Sequence, residues 1–208
     1  MNSHKKEDVV RSNQRFAAAA VLLAASFVAS TAWAADTYKI DRAHSSIQFA
    51  VRHLVVTKVK GEFNEFAGTI VYDDKHILAS GVEVTINAAS IDTKESKRDD
   101  HLRSPDFLDV AKFPQIVFKS TRIEKTGDGF AVVGNLTMHG VTKEIRIPFS
   151  IAGVITDPWG NTRLGLSAKT ELNRQDYGVS WSKKMDSGGL VAGDDIEIEI
   201  EIEAVKEK

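Results

Sequence analysis

Ile196-Glu197-Ile198-Glu199-Ile200-Glu201-Ile202-Glu203 decides the fold. Every second side chain is apolar and every other one is charged. In a β-strand successive side chains point to opposite faces, so this octapeptide has one dry face and one wet face. Coiled as a helix, the same residues would scatter the isoleucines around the whole circumference.

The same period recurs upstream. Ile47, Phe49 and Val51 alternate with Ser46, Gln48 and Arg52. Phe66, Ile70 and Tyr72 share a face with Gly68 between them, and Val82, Val84 and Ile86 follow. Ile116 and Phe118 form the next run, then Phe130, Val132, Leu136 and Met138 around Gly134. Ile145, Ile147, Phe149 and Ile151 follow, then Leu164, Leu166, Ala168 and Leu172. Turn chemistry lies between the runs: Gly127-Asp128-Gly129, His139-Gly140, and Asp157-Pro158-Trp159-Gly160-Asn161. About eight strands in succession predict an all-β, closed antiparallel barrel, because closure removes the exposed edges of such a sheet. One charged stretch breaks the period. Near 93–110 a short helical insert is predicted, capped by Thr93, with Ser96 to Leu102 as its body, packed over one barrel end. Apart from this insert, the connections read as short.

Residues 1–34 read as a signal peptide. Lys5, Lys6, Arg11 and Arg15 precede a charge-free run from Phe16 to Ala35 that contains Ala32-Trp33-Ala34. The leader is long for its class, consistent with a true start near Val9 or Val10. Removing 34 of 208 residues leaves 174, one domain of ordinary size. The leader carries four basic and two acidic side chains, which takes the whole chain's charge of −2 to −4 in the mature protein. Such a balance gives no reason to expect nucleic acid as a partner. The chain has no cysteine, which excludes disulfides, thiol catalysis and a lipid-modified cysteine. The mature protein is expected to be soluble and periplasmic.

Chemistry-bearing motifs are scarce. There is no nucleophile elbow, phosphate loop or dinucleotide fingerprint. His44, His53, His76, His101 and His139 do not pair at ligand spacing, so no metal and no cofactor is expected. His44 and His53 read as hydrogen-bonded structural residues, His76 and His139 as solvated turn residues. An eight-stranded barrel either fills its interior or holds one ligand there. Medium-sized inward side chains, with Gly68 and Gly134 leaving gaps, permit a cavity.

Longer motifs carry a family resemblance. Asp41-Arg42-Ala43-His44-Ser45-Ser46-Ile47-Gln48-Phe49, Gly61-Glu62-Phe63 and Phe66-Ala67-Gly68 resemble the opening of the YceI-like family. Ser90-Ile91-Asp92-Thr93, the run Arg98 to Asp109, and Lys112-Phe113-Pro114-Gln115-Ile116 follow in order. Gly134 to Lys143 is similar to the family's central hairpin, and Asn173 to Val179 to its late motif. The resemblance covers Tyr38 to Val205. It implies a lipocalin-like barrel, a long cavity for a polyisoprenoid or related amphiphile, and no catalytic residues.

The expected cavity wall is Phe49, Val51, Phe63, Phe66, Val84, Phe118, Leu136, Met138, Phe149 and Leu166, all on the dry phase of their strands. A pyrophosphate head group would stay at an open end, because charge is costly to bury. Its candidate donors are His101 and Arg103 on the insert and Arg174 with Tyr177 in the late motif; arginine suits phosphate because its planar donors bind two oxygens. The competing reading is that these arginines pair with Asp99, Asp106 or Asp176 and merely fasten a lid. Two other functions fit the pattern: an outer-membrane barrel, and a lipid-modifying enzyme using the same cavity. The protein is expected to be a monomer or a homodimer.

Overall fold

The computed structural model describes residues 35–208 except 128, 187 and 188, so the leader assigned above lies outside the described residues. The strands are β1 (Asp36–Ile40), β2 (Ser46–His53), β3 (Thr57–Phe63), β4 (Phe66–Tyr72), β5 (Gly81–Asn87), β6 (Ile91–Asp92), β7 (Gln115–Lys125), β8 (Phe130–Met138), β9 (Val141–Thr156), β10 (Thr162–Asn173) and β11 (Ala192–Lys206). One α-helix, α1 (Ser96–Arg103), separates β6 from β7.

Eleven strands make eight staves. β11 pairs with β10 along one edge. Along its other edge it pairs with β2 near its start and with β1 near its end. β1 and β2 are therefore one stave interrupted at 41–45. β3 and β4 form a second, since β3 pairs with β2 and β4 with β1. β5 and β6 form a third, against β4 and β3. β7, β8, β9 and β10 complete the ring, each antiparallel to its neighbours. The result is the closed up-and-down barrel of about eight strands that the alternation predicts.

The three interruptions sit side by side. Their backbone groups cannot join the ladder, so polar side chains and cross-strand carbonyls satisfy them. Asp41 caps the first by accepting from the Ala43 N–H, and the Ser45 hydroxyl bridges to the Glu203 carbonyl at 3.1 Å. Arg42 donates to the Asn64 carbonyl in the next stave at 2.8 Å. Asn64 N–H donates to the Ser90 carbonyl, and Asn87 N–H to that of Glu65. The motif residues of the opening segments are thus joints of the wall.

One ion cluster locks this belt to the β9–β10 hairpin. Arg163 donates to Asp157 at 2.7 Å and to Asp41 at 3.0 Å, and also pairs with Glu203. Asp157 caps its own turn, accepting from the Trp159 and Asn161 N–H groups. Burial by itself would raise the Asp157 carboxyl, but the Arg163 guanidinium and these N–H donors outweigh it and hold it far below the usual carboxylate range. Asp41, His44 and Glu203 bring possible metal-ligand atoms within 4.8 Å of one another. The Arg163 guanidinium already bonds two of the three, so the cation of this cluster is an arginine.

The His139-Gly140 tip forms as read, while Asp128 of the tip at 127–129 lies outside the described residues. His139 and Gly140 both have positive φ, 51° and 76°, the geometry of a two-residue primed turn. His139 is not simply solvated, however: its ring lies 3.2 Å from the Tyr177 carbonyl and packs on Phe113. The helix cap also differs from expectation. Glu95 caps α1 by accepting from the Lys97 and Arg98 N–H groups. Thr93 instead gives its hydroxyl to the buried Asp99 at 2.5 Å, which ties the helix to the end of β6. A second long connection was not anticipated. Between β10 and β11 the chain makes a 3₁₀ turn, Arg174–Tyr177, then a small hairpin bridged at Lys184 and Leu190.

The cluster predicts an acid dependence. Because Asp157 is depressed in the folded state, the unfolded chain binds its proton first as pH falls from about 5. The stabilisation is full above the unfolded pKa and is lost as pH drops toward the folded one. Asp157→Asn is expected to lower Tm at pH 7 and to flatten the fall of Tm between pH 5 and 3. A thermal-melt series at fixed ionic strength checks both.

Candidate ligand-binding cavity

The isoleucines of β11 explain the interior. Ile196, Ile198, Ile200 and Ile202 all face inward and line a cavity of about 480 Å³. They are only half-buried, although they point away from bulk water. The space before them is not filled by other side chains. The volume falls within the roughly 300–1,000 Å³ of small-molecule sites, and its lining is almost wholly apolar.

Nine of the ten anticipated wall residues border this space: Phe49, Val51, Phe63, Val84, Phe118, Leu136, Met138, Phe149 and Leu166. Phe66 does not. It is buried at the start of β4, on the same face as its partner Ile86, but does not border the space. Gly68 and Gly134 also play a different part from the one expected. A Cβ on Gly134 would lie 2.7 Å from the Phe118 ring and 2.4 Å from the Lys119 carbonyl. On Gly68 it would meet Ile40 and Val84 at 2.8 and 3.0 Å. Gly61 does the same for Phe49. These glycines let neighbouring side chains lie flat on the wall, which keeps large rings from crossing the lumen.

The two ends are unequal. At the β9–β10 end, Tyr38, Ile70, Leu164 and Ala204 pack into a buried floor. At the other end the cavity reaches α1, the β2–β3 hairpin and the segment leading into β11. Thr93, Arg98, His101 and Leu102 border it there, with Arg52, His53, Trp181 and Ala192. This is where the lining's charged groups collect.

The four anticipated head-group residues separate here. His101 lines the cavity; it pairs with Asp106 at 2.9 Å and lies edge-on to Phe107 and Trp181. Arg103 does not line it. Its guanidinium donates to the Ala89 and Ile91 carbonyls and pairs with Asp100. Arg174 touches the cavity but is 3% exposed, and its donors are consumed by the carbonyls of Val179 and Gly193 and by Asp194. Burial lowers its pKa, opposed by the Asp194 charge. Tyr177 packs against the lining residues Ile116, Leu136 and Met138 without bordering the cavity itself; its hydroxyl is buried with no hydrogen-bond partner among the described residues, and burial raises its pKa. Arg103 and Arg174 fasten chain segments, but through backbone carbonyls, Asp100 and Asp194 in place of the Asp99, Asp106 or Asp176 of the competing reading. Sequence reading passed over Arg98, which lines the cavity while two of its nitrogens hold Thr93.

Taken as a class, this is a barrel that encloses an apolar ligand space, floored at one end and rimmed by polar groups at the other. The chain belongs to the YceI-like family: the model of the YceI-like domain matches residues 38–204. A UPF0312 protein of Yersinia pestis (strain Pestoides F) is 41% identical over 184 residues, 88% of this chain and 92% of that protein. Another from Pectobacterium atrosepticum is 40% identical over 190 residues, covering 90% and 96%. The solved YCEI protein of Campylobacter jejuni superposes with a TM-score of 0.65 at 30% identity, over 76% of this chain and 90% of that one. A polyisoprenoid-binding domain from Saccharophagus degradans shares the fold, with a TM-score of 0.60 at 12% identity over 82% and 98%.

Arg174 yields a test of its own. Arg174→Gln strands the Val179 and Gly193 carbonyls, at a cost of about 2–3 kcal/mol for lost charged hydrogen bonds. Denaturant melts are expected to show that loss. Matched titrations with a polyprenol and its pyrophosphate are expected to weaken equally, since the guanidinium is held by the Val179 and Gly193 carbonyls and by Asp194.

Proposed function

We propose that the protein is an exported soluble carrier that binds one long apolar lipid, a polyisoprenoid or its pyrophosphate, inside the barrel. The observation that carries this reading is the unfilled inner face: apolar side chains around a cavity of about 480 Å³ with a floor at one end. Burying an apolar chain there releases about 25 cal/mol per Å² of surface. Membership of a family whose fold is shared by a polyisoprenoid-binding domain supports the choice of ligand class.

The outer face supports a carrier in water over a barrel in lipid. It bears cross-strand ion pairs such as Lys169–Glu199, Lys119–Glu83 and Arg122–Glu144. A membrane barrel would carry an apolar band there. No helix among the described residues is long and apolar enough to cross a membrane. A pyrophosphate, where present, would rest at the helix end beside Arg98 and His101. The cavity serves binding in this reading, and no residue is assigned to catalysis.

Blocking the lumen tests the reading. Val84 lines the cavity from the middle of β5. Val84→Trp is expected to leave a folded barrel that takes up polyprenol at least tenfold more weakly. A folded variant with unchanged uptake would remove the cavity from the binding site. Organic extraction of the native protein, followed by mass spectrometry, is expected to recover the unmodified lipid; its turnover would point to an enzyme.

Export is tested separately. Cleavage after Ala34 would leave Ala35 one residue ahead of β1. N-terminal sequencing of protein from the periplasmic fraction is expected to begin at Ala35. Retention of residues 1–34 would overturn the assignment.

A further inference from the structure

The rim of the cavity carries an apolar tip that the described residues leave exposed. Between β2 and β3, Leu54, Val55 and Val56 are 36%, 57% and 81% exposed. Leu54 and Val55 both have positive φ, 51° and 65°. For a β-branched residue that conformation is a rare outlier, and strained backbone persists only where its surroundings fix it. Three contacts fix it here. Leu54 N–H donates to the Val191 carbonyl, Val56 N–H to that of His53, and Arg52 to that of Val55. The tip is held outward instead of folding over the cavity.

Cations surround this tip in a chain that is acidic as a whole. The β2–β3 hairpin contributes Arg52, Lys58 and Lys60, and the neighbouring hairpin Lys183 and Lys184; between them stands one carboxylate, Asp186. Lys58 is spent on Glu197. Lys183 and Lys184 are exposed, and no ion pair engages them among the described residues. Both hairpins border the lumen, through Arg52, His53 and Val59 on one and Val191 beside the other.

We propose that this rim is a docking surface for an anionic lipid bilayer, with the Leu54–Val56 tip entering the interface and the lysines meeting the headgroups. An exposed apolar tip ringed by lysine and arginine is the chemistry of interfacial binding. The carrier reading gives the contact its use, because a long lipid then passes between bilayer and cavity without crossing water. A second exposed apolar tip, Val154, Ile155 and Trp159, lies at the floor end. It is roughly 45 Å away along β11, and none of its residues borders the cavity.

The absence of cysteine makes a positional test clean. Val56→Cys and Trp159→Cys are each labelled with an environment-sensitive fluorophore and mixed with phosphatidylglycerol vesicles. The label at 56 is expected to shift to the blue and the label at 159 to stay unchanged. Pure phosphatidylcholine should give little response, and Lys183→Gln with Lys184→Gln should weaken partitioning roughly tenfold or more. Because the readout is local, it holds whether or not the leader is retained. A shift at 159 alone, or none at 56, overturns the proposal. So does a shift at 56 that needs a second copy or a protein partner in place of vesicles. Polyprenol uptake from detergent solution is measured on Val55→Asp with Val56→Asp, expected to load normally while failing to bind vesicles. Loss of loading in every form, with docking intact, would instead overturn the carrier reading.

Discussion

β11 is hydrogen-bonded along both edges, from Asp195 to Val205 against β10, and against β2 and then β1 on the other side. That double pairing turns a meander into a ring. With no cysteine in the chain, no disulfide can substitute for it. Closure also frees the inner face from having to be a solid core. In an open sheet, half-buried isoleucines would recruit a second layer to cover them. In a closed ring they face one another across a lumen, and the backbone ladder holds them apart. On the carrier reading, an apolar chain in the lumen would add dispersion contacts with its wall and, by binding only the folded barrel, would raise its stability by mass action.

The interruptions in three adjacent staves follow from the same closure. A barrel wall must curve, and unbroken extended strands resist sharp bends. Here the bends are concentrated at 41–45, 64–65 and 88–90, where Asp41, Ser45, Asn64, Glu65, Asn87 and Ser90 take up the backbone groups that leave the ladder. Arg163 then ties the first bend to the opposite hairpin through Asp41, Asp157 and Glu203. Polar residues of the family motifs that look like site chemistry in one dimension do this joining work in three.

The strands were legible because their period is local. Ile196 to Glu203 shows its dry face without reference to any other segment, and all four isoleucines do line the lumen. The interruptions were not legible, since a bend at Asn64 and Glu65 matters only against Ser90 in another stave. Arg103 and Arg174 are engaged elsewhere in the fold for a related reason. Arg174 has Asp176 two residues away, yet its donors go to Val179, Gly193 and Asp194. Its carbonyl partners on β11 lie 19 residues on and carry no signal in the sequence. Arg98 was overlooked because a lone arginine on a short charged helix resembles any solvated face. Leu54, Val55 and Val56 were overlooked because three apolar residues in a row fit neither period.

The ends of the barrel differ in what they ask of a ligand. At the floor, Tyr38, Leu164 and Ala204 are buried against one another, and Ile40, Ile70 and Ile202, packed with them, present an apolar surface to the cavity. At the helix end the lumen passes between α1 and the β2–β3 hairpin, where Arg98 and His101 border it. Asp99 is buried just behind them and accepts from both the backbone and the hydroxyl of Thr93, while Thr93 in turn receives Arg98. This chain of bonds fixes the guanidinium's position beside the cavity without a carboxylate pairing it directly. An amphiphile therefore has one orientation that satisfies both of its parts, tail to the floor and head to the helix. The reverse would strand a polar group against Ile40 and Ile70 at the desolvation cost of an unpaired buried group. On the carrier reading, the direction of loading would be set by that asymmetry in the wall, with no moving part required.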